Sequence, residues 1–207
     1  MKKVIIVGAG GLGRMIYSWL PDFLEDSWEP IGFISDRLDV LDGYDYDIPI
    51  LSTIQEYKPE ADHVFVMAIA DPKAKLAVAE ELEERGARFI NLIHPTAIVG
   101  KNVKMGKGCV VCPRVVLTCD IELGDFVMLN LCATIGHDVI IGNGCTINSH
   151  SDVTGGAKLG TGVFLGSHAV ITPNLKVRDF AKIGAGSVVV KQVAQDTTVF
   201  GIPAKKI

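Results

Sequence analysis

The sequence predicts an α/β domain of half-Rossmann type over residues 1–90, followed by an all-β parallel β-helix over residues 91–207. Two patterns carry this prediction. Near the start, a glycine-rich loop separates a short apolar strand from an apolar-faced helix. From Ile93 onward, an aliphatic side chain recurs every six residues, which is the period of a β-solenoid. A chain of 207 residues is long enough to bury two modest cores.

The first domain reads as alternating strands and helices. An apolar run over residues 4–7 predicts a buried strand, and a helix is expected from Arg14 to Leu20. The remaining expected elements are strands at Pro30 to Ile34 and His63 to Ala70, a helix from Pro72 to near Arg85, and a short strand at Arg88 to Ile90. His63, at the start of its strand, is expected at the surface.

The loop between the first strand and helix has the G-x-G-x-x-G spacing at Gly8, Gly10 and Gly13, and Asp36 ends the second strand. This arrangement is typical of dinucleotide binding, so NAD is one interpretation. Against NAD, the domain is small, the second mononucleotide-binding half is missing, and no dehydrogenase domain follows. The backbone N–H groups of such a loop bind any diphosphate. A tight turn without a ligand is the third interpretation.

The six-residue repeat runs without an insertion. Its positions are all aliphatic or methionine: Ile93, Val99, Met105, Val111, Leu117, Leu123, Leu129, Ile135, Ile141, Ile147, Val153, Leu159, Leu165, Ile171, Val177, Ile183 and Val189. The position four residues further is often small, as at Cys109, Ala133, Cys145 and Ser151. Two inward side chains per hexad, with three hexads closing a triangular coil of about 18 residues, explain both columns.

The repeat resembles that of the hexapeptide-repeat acyltransferases. Further matches are Asn91-Leu-Ile-His-Pro, Ile135-Gly-His-Asp and Gly201-Ile-Pro-Ala-Lys205. They are similar to the subgroup that acetylates sugar nucleotides on a 4-amino group and to the related sialic acid O-acetyltransferases (PglD/NeuD-like). The resemblance implies a left-handed β-helix, acetyl-CoA as co-substrate and a homotrimer with active sites between subunits. It also implies that a nucleotide sugar lies at Gly10, Gly11 and Gly13, with Asp36 at its base or ribose.

Acetyl transfer to an amine or hydroxyl needs a base, and His137 is the candidate, with Asp138 as its orienting carboxylate. Both fall at an outward corner of the repeat. The family resemblance assigns acceptor binding to Asn130 and a place near the thioester to Thr146. Gly155 lies one coil beyond His137 and can offer its N–H to the thioester carbonyl. Ser149, Ser167 and Ala185 form a column along which the pantetheine arm of acetyl-CoA is expected to lie.

Direct attack of the acceptor on the thioester is expected, because a covalent acetyl-enzyme would need a cysteine beside His137. The nearest in sequence are Cys132 and Cys145. No metal is expected. Cys109 and Cys112 have zinc half-site spacing without a second half. His150 and His168 stack without the third ligand that a zinc site needs.

Composition and charge limit the partners and the cellular location that we expect for this protein. The net charge of -4 and the absence of basic runs argue against nucleic acid. No apolar stretch is long enough to cross a membrane, and we expect a cytoplasmic protein. Three alternatives to the 4-N-acetyltransferase stay open. They are an O-acetyltransferase of sialic acid or a related sugar, a non-catalytic scaffold that binds nucleotide sugars, and an NAD-linked sensor or dehydrogenase.

Overall fold

The computed structural model describes residues 2–23 and 28–207. Its first part is a parallel sheet with two helices. The elements are β1 (Lys2–Val7), α1 (Gly11–Phe23), β2 (Trp28–Ile34), β3 (Ile50–Ser52), β4 (His63–Met67) and α2 (Pro72–Glu84). The strand order is β3-β2-β1-β4, which is the order of one Rossmann half. The domain is therefore half of a Rossmann fold, as the glycine loop and strand pattern predicted.

Three details of this domain differ from the sequence-based expectations. The residues expected to form a strand at Arg88 to Ile90 make only one isolated bridge, between Phe89 and Phe65. The short edge strand β3 was not predicted. His63, expected at the surface, is buried. Its Nδ1 lies 3.0 Å from the Tyr57 hydroxyl and accepts the Glu60 N–H, so local hydrogen bonds satisfy a ring that the apolar pattern left unexplained.

The second part is a left-handed parallel β-helix with three sheets as its sides. The first side contains β5 (Leu92–Ile93), β8 (Val110–Val111), β11 (Met128–Leu129), β14 (Thr146–Ile147), β17 (Phe164–Leu165), β20 (Lys182–Ile183) and β22 (Thr198–Phe200), with β23 (Lys205–Lys206) antiparallel at its end. The second contains β6 (Ile98–Val99), β9 (Val116–Leu117), β12 (Thr134–Ile135), β15 (Asp152–Val153), β18 (Val170–Ile171) and β21 (Val188–Val189). The third contains β7 (Lys104–Met105), β10 (Glu122–Leu123), β13 (Ile140–Ile141), β16 (Lys158–Leu159) and β19 (Lys176–Val177).

The predicted inward register is confirmed. From Val111 to Val189 every residue of the six-step column is at most 5% exposed, and Cys109, Ala133, Cys145 and Ser151 of the small column are fully buried. Ile93 and Val99 depart from the pattern, with 40% and 43% exposure. They belong to the first coil, which has no coil beneath it to cover them. The cysteines of the inward column act as small apolar side chains.

The two parts share one hydrophobic core, and α2 lies against the first side of the β-helix. Lys75 of α2 is buried there and donates hydrogen bonds to the carbonyls of Phe126 and Cys145 and to Thr146 Oγ1. Asp71 caps α2 by accepting the Ala74 N–H. These polar contacts orient the first domain on the β-helix. Among the described residues, no helix combines the length and apolarity needed to cross a membrane.

Candidate active site

His137 and Asp138 stand at the corner between β12 and β13. Asp138 has φ of 60°, the left-handed conformation that turns the chain at each corner of this β-helix. Nδ1 of His137 lies 2.7 Å from Oδ2 of Asp138, and both side chains are about two-thirds exposed, at 67% and 68%. Since the carboxylate can only accept, Nδ1 carries the proton and Nε2 keeps its lone pair. The pair therefore presents a proton acceptor to the outside of the corner.

Gly155 lies directly above this imidazole. A β-carbon on Gly155 would be 2.6 Å from Nε2 and 2.7 Å from Cε1 of His137. The adjacent backbone confirms the stacking, because the Gly156 N–H donates to the His137 carbonyl at 2.8 Å. The Gly155 N–H donates to no acceptor in residues 2–23 and 28–207. A free N–H beside a free imidazole nitrogen is an arrangement that can bind a carbonyl oxygen next to a base.

Cys119 lies one coil below His137, a neighbour that the sequence argument missed. The Asp138 N–H donates to the Cys119 carbonyl. The hydrogen bond to Asp120, followed by desolvation and nearby carboxylates, raises the pKa of the Cys119 thiol. Asp120 itself accepts a bond from Asn102, and this contact lowers the pKa of its carboxyl group. Its spacing of 18 residues from His137 is the signal that could have identified Cys119.

The four glycines at the turn from β1 into α1 are of two kinds: two are required by the backbone turn, and two border open space. Gly8 has φ of 103°, and a β-carbon on Gly13 would overlap the Gly8 carbonyl oxygen, so both are required by the turn itself. By contrast, a β-carbon on Gly10 would meet nothing within 4 Å, and one on Gly11 would meet only Arg14 Nη2 at 3.9 Å. Gly10 and Gly11 therefore leave open space at the N-terminus of α1.

Arg14 and Tyr44 flank that open space. The Arg14 guanidinium lies 3.5 Å from the centroid of the half-exposed Tyr44 ring. Its Nη1 is buried and has no hydrogen-bond partner in the described part of the chain. From the sequence, Arg14 is predicted only as the first residue of a helix. Its position directly after the last loop glycine is the signal that could have identified it.

Asp36, expected to contact the base or ribose of a nucleotide, follows β2 as predicted. Its Oδ1 accepts the Ile54 N–H at 3.0 Å, which ties the end of β2 to the segment after β3. The side chain is exposed, and a carboxylate has further lone pairs for a ligand. Asp36 therefore makes a structural hydrogen bond to the Ile54 N–H at the end of β2.

The remaining expected site residues lie at other places on the prism. Asn130, Ser167 and Ala185 are at the corner that joins the first and second sides, one side away from His137. Thr146 departs most from expectation, because it is fully buried under α2. Its hydroxyl donates to the Ala70 carbonyl and accepts from Lys75. Within one chain, the residues brought together are therefore His137, Asp138 and Gly155, and Thr146 is not exposed to a cofactor.

One group of potential metal ligands lies outside this site, at Glu60, Asp62 and His63. The Glu60 N–H donates to His63 Nδ1 at 3.1 Å, so the ring proton sits on Nε2, the nitrogen that faces the two carboxylates. Asp62 is also paired with Lys3 at 3.1 Å. The hydrogen bond from Glu60 and the Lys3–Asp62 ion pair are the contacts that hold these side chains together.

Comparison with known proteins connects these features. The family description "PglD N-terminal domain" matches residues 3–82, and "Bacterial transferase hexapeptide (six repeats)" matches residues 138–173. The two ranges together include more than half of the chain. A GDP-perosamine N-acetyltransferase from Escherichia coli O157:H7 is 29% identical over 143 residues, which cover 69% of this chain and 57% of that protein. The match therefore spans little more than half of the curated relative.

Two solved structures are similar over the full chain. The acetyltransferase domain of PglB from Neisseria gonorrhoeae FA1090 has a TM-score of 0.91 at 25% identity, with 100% of both chains covered. PerB from Caulobacter crescentus, in complex with CoA and GDP-perosamine, has a TM-score of 0.89 at 25% identity, with 100% of this chain and 98% of that chain covered. With its half-Rossmann domain, its hexapeptide β-helix and these matches, the chain belongs to the PglD-like hexapeptide-repeat acyltransferases.

Proposed function

We propose that this protein transfers an acetyl group from acetyl-CoA to the 4-amino group of a nucleotide-linked amino sugar. The observation that carries the proposal is the His137–Asp138 pair with its Nε2 facing the unsubstituted Gly155. Support comes from the relatives, since one is named as a GDP-perosamine N-acetyltransferase and another structure holds CoA with GDP-perosamine.

In the proposed reaction, the amine nitrogen attacks the thioester carbonyl carbon and the carbon–sulfur bond breaks. The proton lost by the amine passes to His137 Nε2, which then gives it to the departing CoA thiolate to form the thiol. Asp138 holds the imidazole in the required tautomer and stabilises its positive charge. The Gly155 N–H donates a hydrogen bond to the carbonyl oxygen as negative charge develops there.

The acceptor is proposed to bind across the first domain. Gly10 and Gly11 leave room for the diphosphate at the N-terminus of α1, where backbone N–H groups favour an anion. The Arg14 guanidinium, whose Nη2 lies next to Gly11, adds a positive charge at the same place. Asp36 is proposed to contact the ribose or base through the oxygen that is not bonded to Ile54.

We propose a homotrimer, because the site within one chain is incomplete. Asn130, Ser167 and Ala185 lie at a different corner from His137, so a neighbouring subunit would have to bring them to its base. The second side between these corners carries mainly apolar outward residues, including Val116, Val170 and Val188, which suits an interface. The five free cysteines and the need for acetyl-CoA favour a cytoplasmic location. Light scattering should give the mass of three chains; an active monomer would contradict this assembly.

The function is tested by following thiol release from acetyl-CoA with UDP-, GDP- and dTDP-linked 4-amino sugars and with free sialic acid. We expect turnover with at least one 4-amino nucleotide sugar. His137→Ala should lower kcat by roughly two to four orders of magnitude, the effect of losing a general base. Lys104→Ala, at an exposed lysine of the third side that is paired with Glu122, is the control. Turnover only with sialic acid would identify an O-acetyltransferase, and no turnover with any acceptor would refute the proposal.

Direct transfer is tested separately with Cys119→Ala. The raised pKa keeps this thiol protonated and therefore a weak nucleophile. We expect kcat within about twofold of wild type and no acetylated protein by mass spectrometry after incubation with acetyl-CoA alone. Stable acetylation of Cys119, lost in the alanine variant together with activity, would instead indicate a covalent intermediate.

A further inference from the structure

On the third side, the outward-facing side chains change from a charge-paired row to a positively charged row at the coil of His137. The parallel register aligns Lys104, Glu122, Ile140, Lys158 and Lys176 in consecutive strands. Below His137, Lys104 is neutralised by Glu122 at 3.2 Å. Above it, Lys158 and Lys176 are direct partners in the ladder, and neither has a carboxylate within 4.0 Å in the described ranges. Like charges placed opposite each other in a sheet are destabilising.

Arg178 extends this positive group. Together with Lys158 and Lys176 it lines a cleft of about 290 Å³ on the outer surface of the β-helix. Asp179 lines the same cleft; its Oδ1 accepts the Thr161 N–H at 2.9 Å, and it forms no ion pair within 4.0 Å with these three cations. Three cations and one carboxylate leave the cleft with a net positive charge in a chain whose net charge is -4, which indicates a site for an anion.

We infer that Lys158, Lys176 and Arg178 bind the phosphate groups at the 3′-phospho-ADP end of acetyl-CoA. The inference rests on the proposed function. Lys158 and Lys176 lie one and two coils above His137, about 5 and 10 Å along the helix axis at the usual strand spacing. The third side begins at the corner of His137, so an arm that leaves Gly155 toward the C-terminal coils can cross it. Toward the N-terminal coils the same arm would meet Asp120 and Glu122, which repel phosphate.

The acceptor diphosphate is the other source of phosphate in the proposed reaction. Its open position at Gly10 and Gly11 is on the first domain, and Arg14 supplies a cation there. The chain thus has one positively charged site on the first domain and another on the β-helix, which is one for each of the two phosphate-containing substrates. The assignment of the cleft to the coenzyme therefore predicts that its loss affects one substrate and not the other.

The experiment compares wild type, Arg178→Ala and the double variant Lys158→Ala/Lys176→Ala, with Lys104→Ala as the matched lysine control on the same face. Each is assayed with acetyl-CoA, with 3′-dephospho-acetyl-CoA and with acetyl-pantetheine. We expect the double variant to raise the KM for acetyl-CoA about tenfold, because charge-assisted contacts are lost. The KM for acetyl-pantetheine and for the nucleotide sugar should stay unchanged, and added salt should weaken acetyl-CoA binding less than in wild type.

A purely structural role would lower thermal stability, whereas removal of the Lys158–Lys176 repulsion should leave it unchanged or raise it. The inference is overturned if the KM for acetyl-CoA stays at the wild-type value, if acetyl-pantetheine is equally affected, or if the nucleotide sugar shows the loss instead. Calorimetric titration with CoA tests the phosphate site independently of the proposed acetyl transfer. Weaker CoA binding in the double variant, with no acetyl transfer by wild type, would retain this site and refute only the proposed reaction.

Discussion

Gly155 faces the imidazole of His137 so closely that a β-carbon would stand 2.6 Å from Nε2. Gly155→Ala should therefore fold normally, since the imidazole is exposed and its ring can turn away, but the turned ring loses its alignment with Asp138. We expect kcat to fall at least about tenfold while the melting temperature stays near wild type. Wild-type kcat in this variant would show that the ring orientation is not needed for catalysis.

The inward register is tested on one strand. Ile141 is 1% exposed and Ile140 is 38% exposed, although they are neighbours in β13. Ile141→Asp puts an unpaired charge in the aliphatic column and should cost several kcal/mol, on the order of 3 or more, so that soluble protein is lost. Ile140→Asp is the matched control and should change the free energy of unfolding by less than about 1 kcal/mol. Equal effects would contradict the register.

The glycine loop allows substrate binding and folding to be separated. Gly11→Val projects into open space, so it should raise the KM for the nucleotide sugar, leave the KM for acetyl-CoA nearly unchanged and preserve the melting temperature. Gly13→Ala would overlap the Gly8 carbonyl and should lower the melting temperature instead. If Gly11→Val raised both KM values equally, the loop would not be the acceptor site.

Lys75 makes a pH-dependent contribution to stability. Burial lowers its pKa from 10.5 to about 8. Between these values the unfolded chain binds more protons than the folded chain, so this group makes the free energy of unfolding rise with pH. The buried thiols of Cys112 and Cys145 act in the opposite direction above about pH 9, because burial raises the pKa of each to about 12.

Lys75→Met removes the pH-dependent contribution of Lys75 and keeps that of the buried thiols. We expect the free energy of unfolding of wild type minus that of Lys75→Met to increase from about pH 8 to about pH 10, measured by urea denaturation. Lys182→Met, at an exposed lysine, should leave the pH dependence of wild type unchanged. A difference that is flat over this range would show that Lys75 is not titrating in the folded protein.

Regular, local patterns in the sequence determined the fold. The six-residue column from Val111 to Val189 predicted the β-helix because each coil repeats the same inward requirement, and the spacing from His137 to Gly155 predicted their stacking. The glycine loop predicted the first strand and helix because a turn of that shape excludes side chains at Gly8 and Gly13. These features depend on residues near one another in sequence or one coil apart, so a period is sufficient to find them.

Tertiary packing decided the rest. Thr146 sits at an outward position of the repeat, yet α2 covers it, and its hydroxyl bonds to Ala70 and Lys75 instead of facing solvent. One carboxylate oxygen of Asp36 accepts the N–H of Ile54, a residue 18 positions away. No period predicts such contacts, because they depend on how one domain lies on the other and on the path of an irregular loop. The sequence alone thus determined which residues point outward, and only the packing of the two domains decided which of those remain exposed.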